Sequence, residues 1–429
     1  MVQDLTELIH ETGRAAREAA RLLATTPSET KNAALLAMAD AILREAPSIL
    51  SANLLDLQAG EKAGLTGAML DRLRLDGKRL GAMAEGIRTA AALPDPVGRI
   101  LREWTGENGL RFQKISVPIG VIGIIYESRP NVTSDAAVLC LKAGNACILR
   151  GGSEAIHSNK AIASALRDGI RRAGLPEAAI QLIPVTDRDA VRILCEMDTY
   201  LDCIVPRGGK GLIETVVRTA RMPVIKHYDG ICAVYVDKAA DLSMAREIIL
   251  NAKHQRPSAC NAAETLLLHR DIAAPFLADA GKALLEHGVE LRCDKEALSL
   301  IPEPSRQAHP SLLKEATAQD FLTEFLALIL AVRVVGSVDE AITHIETHGS
   351  RHSDAIVTGD GETAERFLRG VDSATVYWNA STRFTDGGEF GFGCEIGIST
   401  DKLHARGPMA LEELTSHKYL IRGQGEVRA

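Results

Sequence analysis

What the sequence lacks removes several classes of function at the outset. It has no basic block: 49 Lys and Arg are outnumbered by 56 Asp and Glu, a net charge of -7. Nucleic acid is therefore not an expected partner. No segment approaches 18 consecutive uncharged apolar residues, so no membrane span is expected. Residues 1–8 carry two acids and no basic cluster ahead of an apolar run, which argues against a secretory or transit peptide. No two of the eight cysteines have C-x-x-C spacing, so no metal site of that kind is expected. Cysteines scattered in this way, with no leader, fit a reducing, cytoplasmic setting. There is no internal repeat and no low-complexity tract.

What is present is a long chain with ample core material. The 429 residues suggest two or three domains, and 46% of them are apolar. Residues 4–92 carry apolar side chains at helical spacing, such as Leu5, Leu8 and Ile9, then Leu35, Met38 and Ile42. Several amphipathic helices are expected, one of them capped by Ser28 with Glu29 in its first turn. Pro94-Asp95-Pro96 stops the helical run. Ile100–Trp104 and Arg111–Val117 flank a turn over 106–109 and read as a β-hairpin.

From residue 118 strands and helices alternate. Strands are expected at 121–125, 146–149, 180–183, 203–206 and 224–225, with helices at 135–142, 154–173, 188–197 and 211–219. Such βα units imply a parallel, doubly wound sheet with right-handed crossovers. Its ligands belong at the carboxyl ends of the strands. Two strand-to-helix loops there are glycine-rich and basic: Leu149–Glu154, with Arg150, Gly151, Gly152 and Ser153, and Val205–Gly211, with Arg207, Gly208, Gly209 and Lys210. Glycines admit a close-lying phosphate and helix N-termini attract anions. The second loop is not a Walker A motif, because Gly211 follows Lys210 where Ser or Thr belongs. Tight turns explain either loop alone equally well, but two on one sheet favour a nucleotide.

Cys260 stands apart from the other cysteines. It follows a helical run over 242–253 and lies in Gln255-Arg256-Pro257-Ser258-Ala259-Cys260-Asn261, among small and polar neighbours. That is the setting of an exposed, reactive thiol. Cys140, Cys147, Cys195, Cys203 and Cys232 lie among apolar residues and read as core. Cys293 reads as exposed but has no glycine- or histidine-rich neighbourhood. Cys394, in a glycine-rich segment, is the one serious competitor. A second α/β pattern follows Cys260, with strands at 265–268, 325–335, 354–357 and 374–378 and helices at 275–287, 338–347 and 363–368. Leu414–Ile421 reads as a strand able to join another subunit's sheet. His344, His348 and His352 are four apart, but Gly349 and Ser350 break the helix between the last two and no cysteine or carboxylate completes a metal site. A loop with one or two functional polar side chains is the preferred reading.

These segments resemble a known family. Pro118–Asn131, Leu149–Ala155, Pro223–Gly230, the Cys260 segment, His344–Asp354 and Phe392–Thr400 are similar to those of the gamma-glutamyl phosphate reductases (glutamate-5-semialdehyde dehydrogenases), in the aldehyde dehydrogenase superfamily. Two positions depart from the pattern: Ala233 stands where histidine is common and Cys394 where alanine is common. The resemblance implies an α/β fold of two Rossmann-like parallel-sheet lobes plus a β-hairpin oligomerisation arm. An NADP-binding domain would take residues 1–100 and 119–253. A catalytic domain with the nucleophilic cysteine would take 254–378, and the arm and C-terminal strand 101–118 and 379–429.

The implied reaction is NADPH-dependent reduction of L-glutamyl 5-phosphate to L-glutamate 5-semialdehyde, with release of phosphate, in proline biosynthesis. Cys260 would be the nucleophile, and the Asn131 amide would hold the oxyanion with the Cys260 backbone N–H. Arg150, Ser153 and Glu154 would lie by the adenosine ribose, Arg207 to Gly211 by the diphosphate, and Glu324 by the nicotinamide ribose. Arg150 is the residue on which a preference for NADPH would rest. Arg129 and the loop Asn379, Ser381, Thr382 and Arg383 are the candidates for gripping the substrate's carboxylate and amine. A homo-oligomer, dimer or tetramer, and a functional association with glutamate 5-kinase are expected. The rival readings are a hydrolytic NAD(P)-dependent aldehyde dehydrogenase acting on a small semialdehyde and an inactive nucleotide-binding scaffold. A hydrolytic enzyme of this type carries a glutamate base about 34 residues before the cysteine. Here that place holds Lys226, with His227 next to it.

Overall fold

The computed structural model describes residues 4–65, 67–226 and 228–428, without the side chain of Ala68. The chain forms two compact units.

The first unit comprises residues 1–226, 391–398 and 408–429. It opens with helices α1 (Leu5–Leu23), α2 (Ser28–Arg44), α3 (Ala46–Lys62), α4 (Gly67–Leu73) and α5 (Gly77–Ala92). Ser28 begins α2 and does not cap it. The cap falls on Pro27, whose side chain has no oxygen to offer, while its carbonyl takes the N–H groups of Thr30 and Lys31. Strands β1 (Ile100–Thr105) and β2 (Arg111–Pro118) make the expected hairpin.

Next come β3 (Val121–Tyr126), α6 (Asn131–Lys142), β4 (Ala146–Gly151), α7 (Ile156–Arg172), β5 (Ile180–Leu182), α8 (Asp189–Cys195), β6 (Cys203–Arg207) and α9 (Lys210–Thr219). Strands β3 and β4 are buried along their whole length, as continuous apolar strands covered on both faces must be. The sheet is parallel, in the order β5-β4-β3-β6. Chain direction across it reverses between β5 and β6, so the crevice for a ligand lies at the carboxyl ends of β3 and β6. Val224 makes only an isolated bridge to Ile204 in place of the short strand expected at 224–225.

The second unit comprises residues 227–390 and 399–407. In order it contains β7 (Cys232–Val236), α10 (Leu242–His254), β8 (Ala263–His269), α11 (Arg270–Phe276), a π turn over Leu277–Gly281, α12 (Lys282–Glu286), β9 (Glu290–Cys293), α13 (Lys295–Leu300), α14 (Glu303–Ala308), β10 (Leu313–Glu315), β11 (Ile329–Val335), α15 (Val338–His348), β12 (Ser353–Val357), α16 (Gly361–Gly370) and β13 (Thr375–Trp378). Its sheet is also parallel, in the order β10-β9-β11-β8-β7-β12-β13. Because β7 pairs with both β8 and β12, residues 232–254 pack in this unit, and the compact units divide at 226/227, not after Lys253. Residues 325–328 precede β11 without joining it. Cys293 closes β9 in the core at 0% exposure, which corrects its reading as exposed.

Two short strands, β14 (Gly397–Ser399) and β15 (Gly407–Met409), precede β16 (Thr415–Arg422). β16 lies antiparallel on β2 of its own chain, giving the three-stranded sheet β1-β2-β16. The C-terminal run read as able to join another subunit's sheet pairs here with the hairpin of its own chain. Among the described residues, no helix is long and apolar enough to cross a membrane.

Candidate active site

In the second unit, the residues nearest Cys260 gather at the amino edge of the sheet. Cys260 lies on the turn between α10 and β8, half-exposed. The turn is closed by hydrogen bonds from Ala259 N to Arg256 O and from Ala262 N to Ala259 O. Gly230 leads into β7 beside it. A Cβ there would lie 1.9 Å from the Cys260 carbonyl oxygen and 2.8 Å from its Cα, so only glycine lets the two backbones approach. The Cys232 thiol donates to the same carbonyl at 3.3 Å. Register slips between Cys232 and Ala233, a bulge of the kind that re-aims a strand end beside a site. Burial, with the Asp354 and Cys260 charges after it, pushes the Cys232 thiol well above its usual range, so it acts as a neutral donor.

Around this pair the wall is polar. Ile231 N donates to Ser350 Oγ at 2.8 Å. His352 Nδ1 lies 2.8 Å from Ser353 Oγ and 3.8 Å from Cys232 Sγ. Burial brings the His352 pKa down to about 4, so the ring is neutral at physiological pH. Thr385 Oγ1 lies 2.7 Å from Ser353 Oγ and 2.8 Å from Tyr377 OH. The histidine-rich segment is thus divided: His344 and His348 stack on α15 at 4.3 Å between ring centroids, and His352 faces the Cys232 thiol. Among the described residues, no group of three His, Cys, Asp or Glu is placed to hold a metal ion.

The loop expected to grip substrate is attached directly to Asn261, the neighbour of Cys260. Thr382 Oγ1 donates to Asn261 O at 2.7 Å, and Asn261 Nδ2 donates to Thr385 O at 2.9 Å. Ser381 Oγ accepts from Arg383 N at 3.3 Å. Asn379, at φ +56°, holds Thr358 with both ends of its amide. Ser381 is thus engaged within the loop, while Thr382 and Asn379 tie it to Asn261 and Thr358. Arg383 differs: its Nε donates to Gln255 at 2.8 Å, and burial, then the Arg256 charge, lowers its pKa while the Cys260 charge opposes that shift. Two guanidinium groups near one thiol suit an anionic substrate. Glu324, expected at the nicotinamide ribose, accepts from Gly230 N at 2.9 Å.

In the first unit, the expected cofactor residues lie on the loops at the carboxyl ends of β3, β4 and β6. Ser128, at φ +44°, gives both its N–H and its hydroxyl to Glu154. Ser153 is exposed beside it, and Arg129 and Asn131 are exposed as well. Arg150 is 8% exposed and donates to the carbonyls of Gly151, Thr186 and Asp187. Gly208 to Gly211 are exposed around the start of α9. The Glu127 carboxylate accepts from Gly209 N at 2.9 Å, so an anion is already taken by this helix start. Asn131 opens α6, and its Nδ2 donates to Asp135 at 2.9 Å. Burial lifts Asp135 to about 6, against the pull of Asn131 and Arg207. Cys394 neighbours this cluster, and burial with the charges of Asp135 and Glu395 pushes its thiol up to about 12. Lys226 is described; His227 lies outside the described residues.

Sequence reading missed Gly230 as a strut, Cys232 as a donor, and the buried pair Lys253 and Glu264. Glu264 did leave a signal: it is a lone carboxylate at the head of the apolar run Thr265–Leu268.

Parallel sheets in two units, with glycine-rich loops on one of them, are the α/β architecture of an aldehyde dehydrogenase-like protein. The model of the aldehyde dehydrogenase family matches residues 3–319. A gamma-glutamyl phosphate reductase of Paramagnetospirillum magneticum is 53% identical over 425 residues, 99% of this chain and 98% of that protein. One from Moorella thermoacetica is 55% identical over 416 residues, 97% of each. The crystal structure of the gamma-glutamyl phosphate reductase of Thermotoga maritima superposes with a TM-score of 0.92 at 44% identity, covering 98% of this chain and 100% of that one. The chain belongs to the aldehyde dehydrogenase family, in its gamma-glutamyl phosphate reductase branch.

Proposed function

We propose that this protein reduces L-glutamyl 5-phosphate to L-glutamate 5-semialdehyde and inorganic phosphate, a step of proline biosynthesis, through a thioester on Cys260. The observation that carries this is the half-exposed Cys260 on a turn whose carbonyl is held by Gly230 and Cys232. The Cys260 thiolate attacks the acyl carbon, a C–S bond forms, the bond to phosphate oxygen breaks, and phosphate departs. The Asn131 amide carries the negative oxygen, and its hydrogen bond to Asp135 fixes which end of the amide donates. NADPH, when bound, supplies the hydride. The Cys260 C–S bond then breaks, releasing the aldehyde and returning the thiolate.

Arg150, Ser153 and Glu154 would hold the adenosine side of the cofactor, Arg207 to Gly211 its diphosphate, and Glu324 a ribose. Preference for NADPH over NADH rests on Arg150, and equal efficiency with both would refute it. Arg383 and Arg129 are assigned to the substrate carboxylate, whereas Asn379, Ser381 and Thr382 shape the loop. The sheet β1-β2-β16 exposes Tyr419 and Ile421, two residues apart on one face suited to a second copy of the chain. An acyl phosphate is water-labile, which favours working association with the kinase that makes it, glutamate 5-kinase.

Lys226 stands where a hydrolytic enzyme would carry its base, and a lysine is a poor one for water. Oxidation of the semialdehyde should therefore need phosphate or arsenate as acyl acceptor. In phosphate-free buffer, at most one equivalent of NADPH per site should form. Sustained NADPH and free glutamate there would indicate a hydrolytic dehydrogenase, and no NADPH under any condition an inactive scaffold.

A further inference from the structure

We propose that Lys253 and Glu264 are positioning residues for the Cys260 thiol, holding the two ends of its turn in one fixed orientation. The inference rests on Cys260 being the nucleophile. Lys253 lies in the last turn of α10 and Glu264 is the second residue of β8, so the pair brackets residues 255–262. Lys253 Nζ donates to Glu264 Oε2 at 2.5 Å, and both side chains are 0% exposed. A buried ion pair is weak evidence for stability, since apolar side chains of similar volume commonly serve as well. What an apolar pair cannot supply is direction.

Glu264 uses both oxygens directionally. Its Oε1 accepts from Leu326 N at 3.2 Å, in a turn where Leu326 takes a left-handed φ of +53°. Two residues earlier, Glu324 accepts from Gly230 N, and Gly230 backs onto the Cys260 carbonyl. A continuous circuit therefore runs from Lys253 through Glu264, Leu326, Glu324 and Gly230 to Cys260, starting and ending on the same turn. Burial lowers the Lys253 pKa and lifts Glu264 to about 7, each opposed by the partner's charge, which leaves the two interdependent. A thiol that must meet an acyl carbon in line loses rate steeply with small displacements.

The test uses the full chain with Lys253→Met and Glu264→Leu together, so that no lone charge stays buried. The double variant should remain folded by circular dichroism. Alkylation of Cys260 by iodoacetamide, mapped by peptide mass, and kcat for semialdehyde oxidation with phosphate should both fall about tenfold or more, with KM shifted far less. A folded double variant that alkylates and turns over at wild-type rates overturns the proposal. Should the double variant not fold, Glu264→Gln decides: losses of about threefold or more in both rates support it, and wild-type rates overturn it. Cys260→Ala separates the two layers. If that variant still turns over, the nucleophile assignment falls. If it is inert while the double variant is unimpaired, only the positioning role falls.

Discussion

Cys260 and Cys394 begin alike: each sits among small and polar residues, and each is half-exposed. Their surroundings then diverge. Cys394 faces the carboxylates of Asp135 and Glu395, which with burial hold it as a thiol at about 12. Near Cys260 stand the Arg383 guanidinium and, behind Gly230, the Glu324 carboxylate; its carbonyl accepts from the Cys232 thiol, and Gly230 leaves no free space behind it. Composition of the local segment does not distinguish a reactive cysteine from an inert one. What separates these two is how deeply the fold buries each thiol and how tightly it fixes the backbone behind it.

The comparison breaks most directly at the two thiols themselves. Cys260→Ala should lower turnover by about four orders of magnitude or more while leaving the circular dichroism spectrum unchanged. A fully active Cys260→Ala would make Cys394 the better candidate. Gly230→Ala places a methyl group against the Cys260 carbonyl, where no flexible side chain can yield. Steady-state kinetics on the folded variant should show kcat reduced by about 100-fold. Cys394→Ala should stay within about threefold of wild type, and iodoacetamide at pH 8 should label Cys260 and spare Cys394, as peptide mapping would reveal.

The smallest effect tests whether carboxylates matter on the Cys260 side too. Asp354 is fully buried, accepts from Ala233 N and Ser373, and is lifted by burial from an ordinary 3.8 to about 7. The unfolded chain releases this proton near pH 4 and the folded chain keeps it to about pH 7. The group's contribution to stability is thus present at low pH and lost as pH rises between those values. Asp354→Asn should flatten that part of the thermal-denaturation pH profile, by up to about 4 kcal/mol, with little effect on kcat. An unchanged profile would show that Asp354 ionises without penalty.

Much of the architecture was legible. Continuous apolar runs at 121–125 and 146–149 mark strands covered on both faces, and the helical period over 242–253 marks α10 almost to the residue. Residues 290–315 were not read, because β9, β10, α13 and α14 span only three to six residues each and no period develops over so short a run. The site divides in the same way. Cys260 was identifiable from its neighbours in the chain. Cys232 was read as core, and it is buried, but its partner lies 28 residues away and only the pairing of β7 with β8 brings them together.

The sequence by itself determined the parallel-sheet units, the hairpin, the glycine-rich loops and the setting of Cys260 among small and polar neighbours, because periodicity and turn chemistry are local properties of a chain. Only the tertiary structure decided what Asn379, Ser381 and Thr382 touch, which groups pack around each thiol, and that Lys253 reaches Glu264 across the Cys260 turn. Those are properties of side chains made neighbours by strand order, and electrostatics and hydrogen bonding depend on distance in space rather than on separation along the chain.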